Sequence, residues 1–169
     1  AVYLASMSLH MSRSTRAICG ALAFALFGPL YAQTNISQVG HLSYQELRVS
    51  DIANLWGYAD EEGNEYALVG VNGTEGQTGG FSVVDLSNPA DPQEIYFFPG
   101  PASIWREVKV WGDYAYITTE AEDGGLTIVD LSPLPQSHDL PATVWFDPGW
   151  RSSHSLFIDE NGRLYIHGA

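Results

Sequence analysis

The stretch GGFSVVDLSNPADP (Gly79–Pro92) is followed by a near-copy, GGLTIVDLSPLP (Gly124–Pro135), 45 residues later. Self-similarity at a fixed period decides architecture before any single motif does. Here it extends beyond the opening phrase. EYALVG (Glu65–Gly70) aligns with DYAYIT (Asp113–Thr118), and RLYIHG (Arg163–Gly168) follows at a similar interval. Upstream, LWGYA (Leu55–Ala59), IWREVKV (Ile104–Val110) and HSLFID (His154–Asp159) occupy equivalent places. One unit therefore reads strand, turn, strand, Gly-Gly turn, strand, Pro-rich turn, strand, over roughly 45–50 residues.

Each segment has the composition of a β-strand. FSVVDL and LTIVDL are rich in β-branched residues, begin after Gly-Gly and end before Pro, which are strand and punctuation signals. DEEGNE (Asp60–Glu65) and DENG (Asp159–Gly162) read as hairpin turns. No segment after Ala32 shows a convincing helical period. In LTIVDL both alternating sets are apolar: Leu126 and Ile128 on one side, Val129 and Leu131 on the other. A sheet with one wet face would alternate apolar with polar, so these strands are expected to be covered on both faces. Sheets of four strands stacked between similar sheets do this, and that is the blade of a β-propeller. The fold class expected is all-β, a propeller with four-stranded blades, present as an incomplete ring of roughly three blades. Asp85 and Asp130 each end an apolar strand before Ser and Pro, where a carboxylate can accept backbone N–H groups and close the turn.

These residues carry a resemblance. GGLTIVDLS and GGFSVVDLSNPADP resemble the LVIVD repeat. The ordered set LWGYADEEGNEYALVG, FSVVDLSNPADP, SIWREVKVWGDYAYITTE, GGLTIVDLS and SSHSLFIDENGRLYIHG, over about residues 50–169, is similar to the choice-of-anchor B family. The resemblance implies an exported bacterial β-propeller whose C-terminal anchoring signal varies between members. It implies no established reaction.

The N-terminal region reads as a targeting segment. From Met11, MSRSTR supplies a basic n-region with Arg13 and Arg16. AICGALAFALF (Ala17–Phe27) supplies a short apolar run, and small Ala32 ends the cleavage region. The run is too short to span a bilayer, which takes about 20 residues. The expected division is residues 1–32 as upstream residues and signal peptide, 33–50 as an N-terminal arm, and 51–169 as a partial propeller truncated at its C-terminal end. The expected location is secreted, at the cell surface or in the periplasm.

Charge narrows the partners. All 20 acidic residues follow Ala32, where they face five basic ones (Arg48, Arg106, Lys109, Arg151 and Arg163), a net charge of −15. Nucleic acid requires a basic surface and is not an expected partner. An anionic membrane surface is disfavoured for the same reason, and no transmembrane helix is expected after residue 32. The single Cys, Cys19, falls within the signal segment, so burial rather than a disulfide must hold the remainder together.

No motif of high catalytic specificity is present. There is no G-x-S-x-G and no G-x-x-x-x-G-K-[ST]. His138, His154 and His167 lack paired short spacing, and EAEDGG (Glu120–Gly125) does not follow the EF-hand pattern, so neither a metal nor a cofactor is expected. If the first strands of successive blades line one axis, Trp56, Trp105, Arg106, Glu107 and His154 fall near one mouth of the channel. Aromatic faces, a cation, a carboxylate and an imidazole suit a polar ligand: a small molecule, a glycan or a surface protein. Arg106 has two readings, a bidentate grip on a ligand anion or an ion pair with Glu107 or another acid. The leading function is a non-enzymatic binding protein. The alternatives are a channel-sited hydrolase or lyase acting on an extracellular polar substrate, and a purely structural surface module.

Overall fold

In the computed structural model, residues 37–74 and 76–168 are described. The signal-peptide reading lies outside them. Ten strands form three antiparallel groups. Sheet I runs in the order β1 (Ile52–Ala59), β2 (Glu65–Val71), β3 (Gly79–Asp85), β4 (Gln93–Gly100). Sheet II runs β5 (Arg106–Trp111), β6 (Tyr114–Thr119), β7 (Leu126–Asp130), β8 (Ala142–Trp145). A hairpin of β9 (Ser155–Ile158) and β10 (Leu164–His167) begins a third unit. Strand order equals chain order in every group. That is the all-β, propeller-like repeat the sequence pattern implied, and the described sheets do not close into a ring.

Register explains why the phrase repeats. Tyr66 lies opposite Asp85 in sheet I, and Tyr114 lies opposite Asp130 in sheet II. Oδ1 of each strand-ending Asp accepts the N–H two residues on, Ser87 at 2.7 Å and Ser132 at 2.9 Å. Both carboxylates thus close the turn into the Pro-rich loop, the role expected of them.

Face alternation then sets the packing. One face of sheet I carries Tyr66, Leu68, Phe81 and Val83; it meets the face of sheet II that carries Val108, Ala115, Ile117 and Val129. Leu68, Val83, Val108, Ala115 and Val129 are fully buried there. The opposite face of sheet II packs on the hairpin, with β9 beside β5 and Leu156 buried. All of Gly79–Val84 is buried, so β3 is covered on both sides, as the pattern of its counterpart LTIVDL led one to expect.

The second cover on sheet I is a departure from expectation. Residues 44–48 form a single helical turn, α1 (Tyr44–Arg48), capped by Ser43, whose hydroxyl accepts the Glu46 N–H at 3.3 Å. Five residues are too few to show a 3.6 period, which is why no helix was legible; the Ser-x-x-Glu spacing of a capping box was the available signal. Tyr44 and Leu42 pack on Val69, Val71 and Val84. Tyr44 Oη donates to Ser82 Oγ at 2.7 Å, and Ser82 Oγ donates to Glu94 Oε1 at 2.7 Å. Arg48 pairs with Glu94 and sits over the Phe97 ring, its guanidinium carbon 3.5 Å from the centroid. Burial pushes the Tyr44 phenol up to about 12, so it serves as a neutral donor.

The hairpin turns repeat a second device. Asp60 Oδ1 accepts the N–H groups of Glu62 and Asn64, each at 2.9 Å, while Oδ2 accepts from Asn64 Nδ2 at 2.9 Å and Tyr66 Oη at 3.2 Å. Asp159 does the same with Asn161, Arg163 and Tyr165. Desolvation alone would raise the Asp60 carboxyl, but these hydrogen bonds outweigh it and hold it below its ordinary value. At Asp159 the Arg163 N–H leads the same downward shift. A carboxylate with a lowered folded pKa stabilises fully above the unfolded value near 3.8, and that contribution fades as pH falls through the folded value. The melting temperature is therefore expected to drop below about pH 4. Asp60→Asn, which keeps one acceptor oxygen and removes the charge, should lower stability at neutral pH and flatten part of that drop. Melting curves from pH 2 to 6 check it, and unchanged slopes in the variant would refute the assignment.

Candidate functional site

The first strands of the three units, β1, β5 and β9, lie side by side, with β5 in the middle. The five sequence-predicted residues sit on or just before these strands, and the structure gathers them into two groups and a separate buried residue.

The first group joins Trp105 to His154. Each immediately precedes its strand, β5 or β9. Their rings stack with centroids 4.4 Å apart and planes 19° from parallel. His154 Nδ1 lies 2.6 Å from Glu120 Oε1. The chain locks both ring-bearing segments. Trp105 N–H donates to Ser103 Oγ at 3.1 Å, and Ser103 Oγ donates back to Trp105 O at 3.0 Å. His154 N–H donates to His167 O at 3.0 Å, and Ser153 N–H donates to Thr119 O at 2.9 Å. The second bond ties the start of β9 to the end of β6, where Glu120 follows. Trp105 remains 39% exposed, and the side chains of His154 and Glu120 are about half exposed. An ionised Glu120 can only accept, so Nδ1 carries the proton; in the neutral ring Nε2 then presents a lone pair, and in the charged ring it donates.

The second group lies on β1 and β5. Lys109 Nζ sits 4.3 Å from the centroid of the Trp56 ring, which is 41% exposed. Lys109 also pairs with Glu107, whose Oε2 accepts from Asn54 Nδ2 at 3.3 Å. Asn54 Oδ1 is buried and has no partner among the described residues.

Two expectations are corrected here. Trp56 is not the counterpart of Trp105. Because Tyr66 and Tyr114 hold equivalent positions, so do Leu68 and Tyr116, and their cross-strand partners are Trp56 and Lys109. In the third unit Tyr165 bonds Asp159 as Tyr66 bonds Asp60, which makes Ser155 the next equivalent. The WG and WR dipeptides align by letter, but the strands differ in length before their turns.

The second correction concerns Arg106. It neither pairs with Glu107 nor reaches the surface. Neighbours on a strand point to opposite faces, so Glu107 shares a face with Lys109, two residues on, and pairs there. Arg106 turns between sheets I and II and is only 3% exposed. Its Nη1 donates to Val71 O at 2.8 Å and Ser103 O at 3.0 Å, and its Nη2 donates to Pro101 O. Burial lowers its pKa to about 10.

Sequence reasoning missed Glu120, Asn54 and Lys109. Lys109 was legible in principle, since the alternation E-x-K puts opposite charges on one strand face. Glu120 was not, because its contact with His154 crosses from one unit to the next.

The fold and this arrangement define the chain as a repeat protein of antiparallel four-stranded units with a polar, aromatic cluster at the starts of its first strands. The family model of the LVIVD repeat matches it twice, over residues 64–98 and 104–135. The first match runs from β2 into β4; the second covers β5 to β7 and the following Pro-rich turn. No curated protein and no solved structure matches the chain. Among the described residues no helix is long and apolar enough to cross a membrane.

Proposed function

We propose that this chain is part of an exported β-propeller of the choice-of-anchor B kind, which binds a polar ligand at the cell surface or in the periplasm without transforming it. The observation that carries the reading is the Trp105–His154 stack with Glu120 behind it. An exposed indole offers a face for a sugar-like ring, and the imidazole Nε2 offers a hydrogen-bonding position for a hydroxyl, as acceptor in the neutral ring and donor in the charged one. Trp56, polarised by Lys109, adds a second aromatic face on the adjoining strand. The net charge of −15 after Ala32 favours neutral or cationic partners over anionic ones.

A panel of neutral and amino-sugar oligosaccharides, followed by tryptophan fluorescence, tests this. Trp105→Ala is expected to weaken binding at least tenfold (about 1.4 kcal/mol) while shifting the melting temperature little, because the indole is partly exposed. Full retention of binding in that variant would remove the site.

The carboxylate–imidazole pair gives the hydrolase or lyase reading its one specific support, since Glu120 orients His154 as it would a general base. Against it, nothing else among the described residues hydrogen-bonds that ring. Product release from the same oligosaccharides, abolished in His154→Gln, would establish the catalytic alternative.

A further inference from the structure

Arg106 is a buried cation that the candidate site does not use. A guanidinium carries five N–H donors. Val71 O, Ser103 O and Pro101 O take three of them. Among the described residues nothing accepts from Nε or from the second Nη2 proton, and no carboxylate forms a salt bridge with the group. Carbonyl dipoles offset part of the cost of burying this charge, but they do not neutralise it.

A cavity lies against the same group. It is lined by Arg106, Gly80, Gly100, Pro101, Thr119 and Thr127, among others, and has a volume of about 10 Å³. That is room for one water-sized group. Glycine keeps it open: a Cβ on Gly100 would lie 3.3 Å from Arg106 Nη2. Thr119 Oγ1 already accepts the Ala121 N–H at 3.2 Å, so its own proton is free to donate. The cavity therefore combines an unneutralised cation, spare donors and space for a single atom; Gly80, Arg106 and Thr119 in its lining are buried, while Gly100 and Thr127 are half-buried and Pro101 lies at the exposed rim.

We infer that this cavity is a small-anion site, binding one chloride-sized monovalent anion against Arg106 with the Thr119 hydroxyl as a further donor. Its size excludes sulfate, phosphate and carboxylates. The surrounding negative charge makes selectivity depend on fit rather than on long-range attraction.

Thermal unfolding of the full chain in sodium chloride, against sodium gluconate at equal ionic strength, tests the inference. Between 10 and 200 mM chloride the folded-to-unfolded ratio is expected to rise about tenfold for a dissociation constant on the order of 10 mM. Gly100→Ala keeps the guanidinium but narrows the cavity and crowds Arg106 Nη2; it should abolish the chloride effect. Crystals grown in sodium bromide should show an anomalous peak beside the Arg106 guanidinium. A chloride-independent melting curve, or bromide crystals with no such peak, would mean that water alone fills the cavity and would overturn the proposal. Both readouts on the unmodified chain stand even if a variant fails to fold.

Discussion

Gly80→Ala and Gly125→Ala are each expected to cost the fold about 3 kcal/mol or more. The two glycines are the second members of the repeated Gly-Gly pairs. They hold equivalent positions, because Phe81 pairs with Phe98 and Leu126 pairs with Trp145. In sheet I a Cβ on Gly80 would overlap the carbonyl oxygen of Phe98. In sheet II a Cβ on Gly125 would lie 2.6 Å from the carbonyl oxygen of Trp145, and its φ of +59° adds a strain that glycine escapes. In both sheets the obstacle is the backbone of the neighbouring strand, which cannot rotate away as a side chain can. Urea titration of each variant gives the measurement. A loss under 1 kcal/mol at both positions would mean that the Gly-Gly pair is only a flexible turn.

Arg106→Met should be of comparable size, near 3 kcal/mol, although it replaces a charge with an apolar chain of similar length. Methionine cannot donate, so Val71 O would lose a charged partner in a buried place, and Ser103 O and Pro101 O would lose theirs in partly buried ones. Arg106→Lys is expected to recover only part of the loss, since an ammonium lacks the planar fork that reaches three carbonyls. Melting temperatures of the three proteins decide the matter. A methionine variant as stable as the parent would show that the carbonyls find other donors. The same series separates this role from the ligand grip read in sequence, because a surface ligand contact would leave stability unchanged.

How much of this was legible depended on whether a contact was local. Strand composition, the Gly-Gly starts and the Asp85 and Asp130 turn closures are all set within a few residues, and they were read correctly. The doubly apolar character of LTIVDL told of cover on both faces of such strands, though not that α1 and its Tyr44 would supply one of them on sheet I. Neither sequence reading of Arg106, a grip on a ligand anion or an ion pair with an acid, foresaw its carbonyl partners; its burial follows from strand alternation and from glycines at positions 70, 79 and 100 that leave room for it. Of the five predicted site residues, Trp105 and His154 do come together. Their partner Glu120 was out of reach, since the pairing depends on how sheet II and the hairpin dock and no spacing within one repeat encodes that.

The arm across sheet I bears on the order in which such a chain acquires structure. α1 precedes the sheet it covers, and the Tyr44–Ser82–Glu94 network with Arg48 closes using nothing beyond β4. The outermost surface of the first sheet is therefore sealed as soon as the first hundred or so residues are available. Each later sheet then finds a finished template on one side only. Growth has a direction, from the amino terminus outward, and during synthesis the sticky surface is always the newest one.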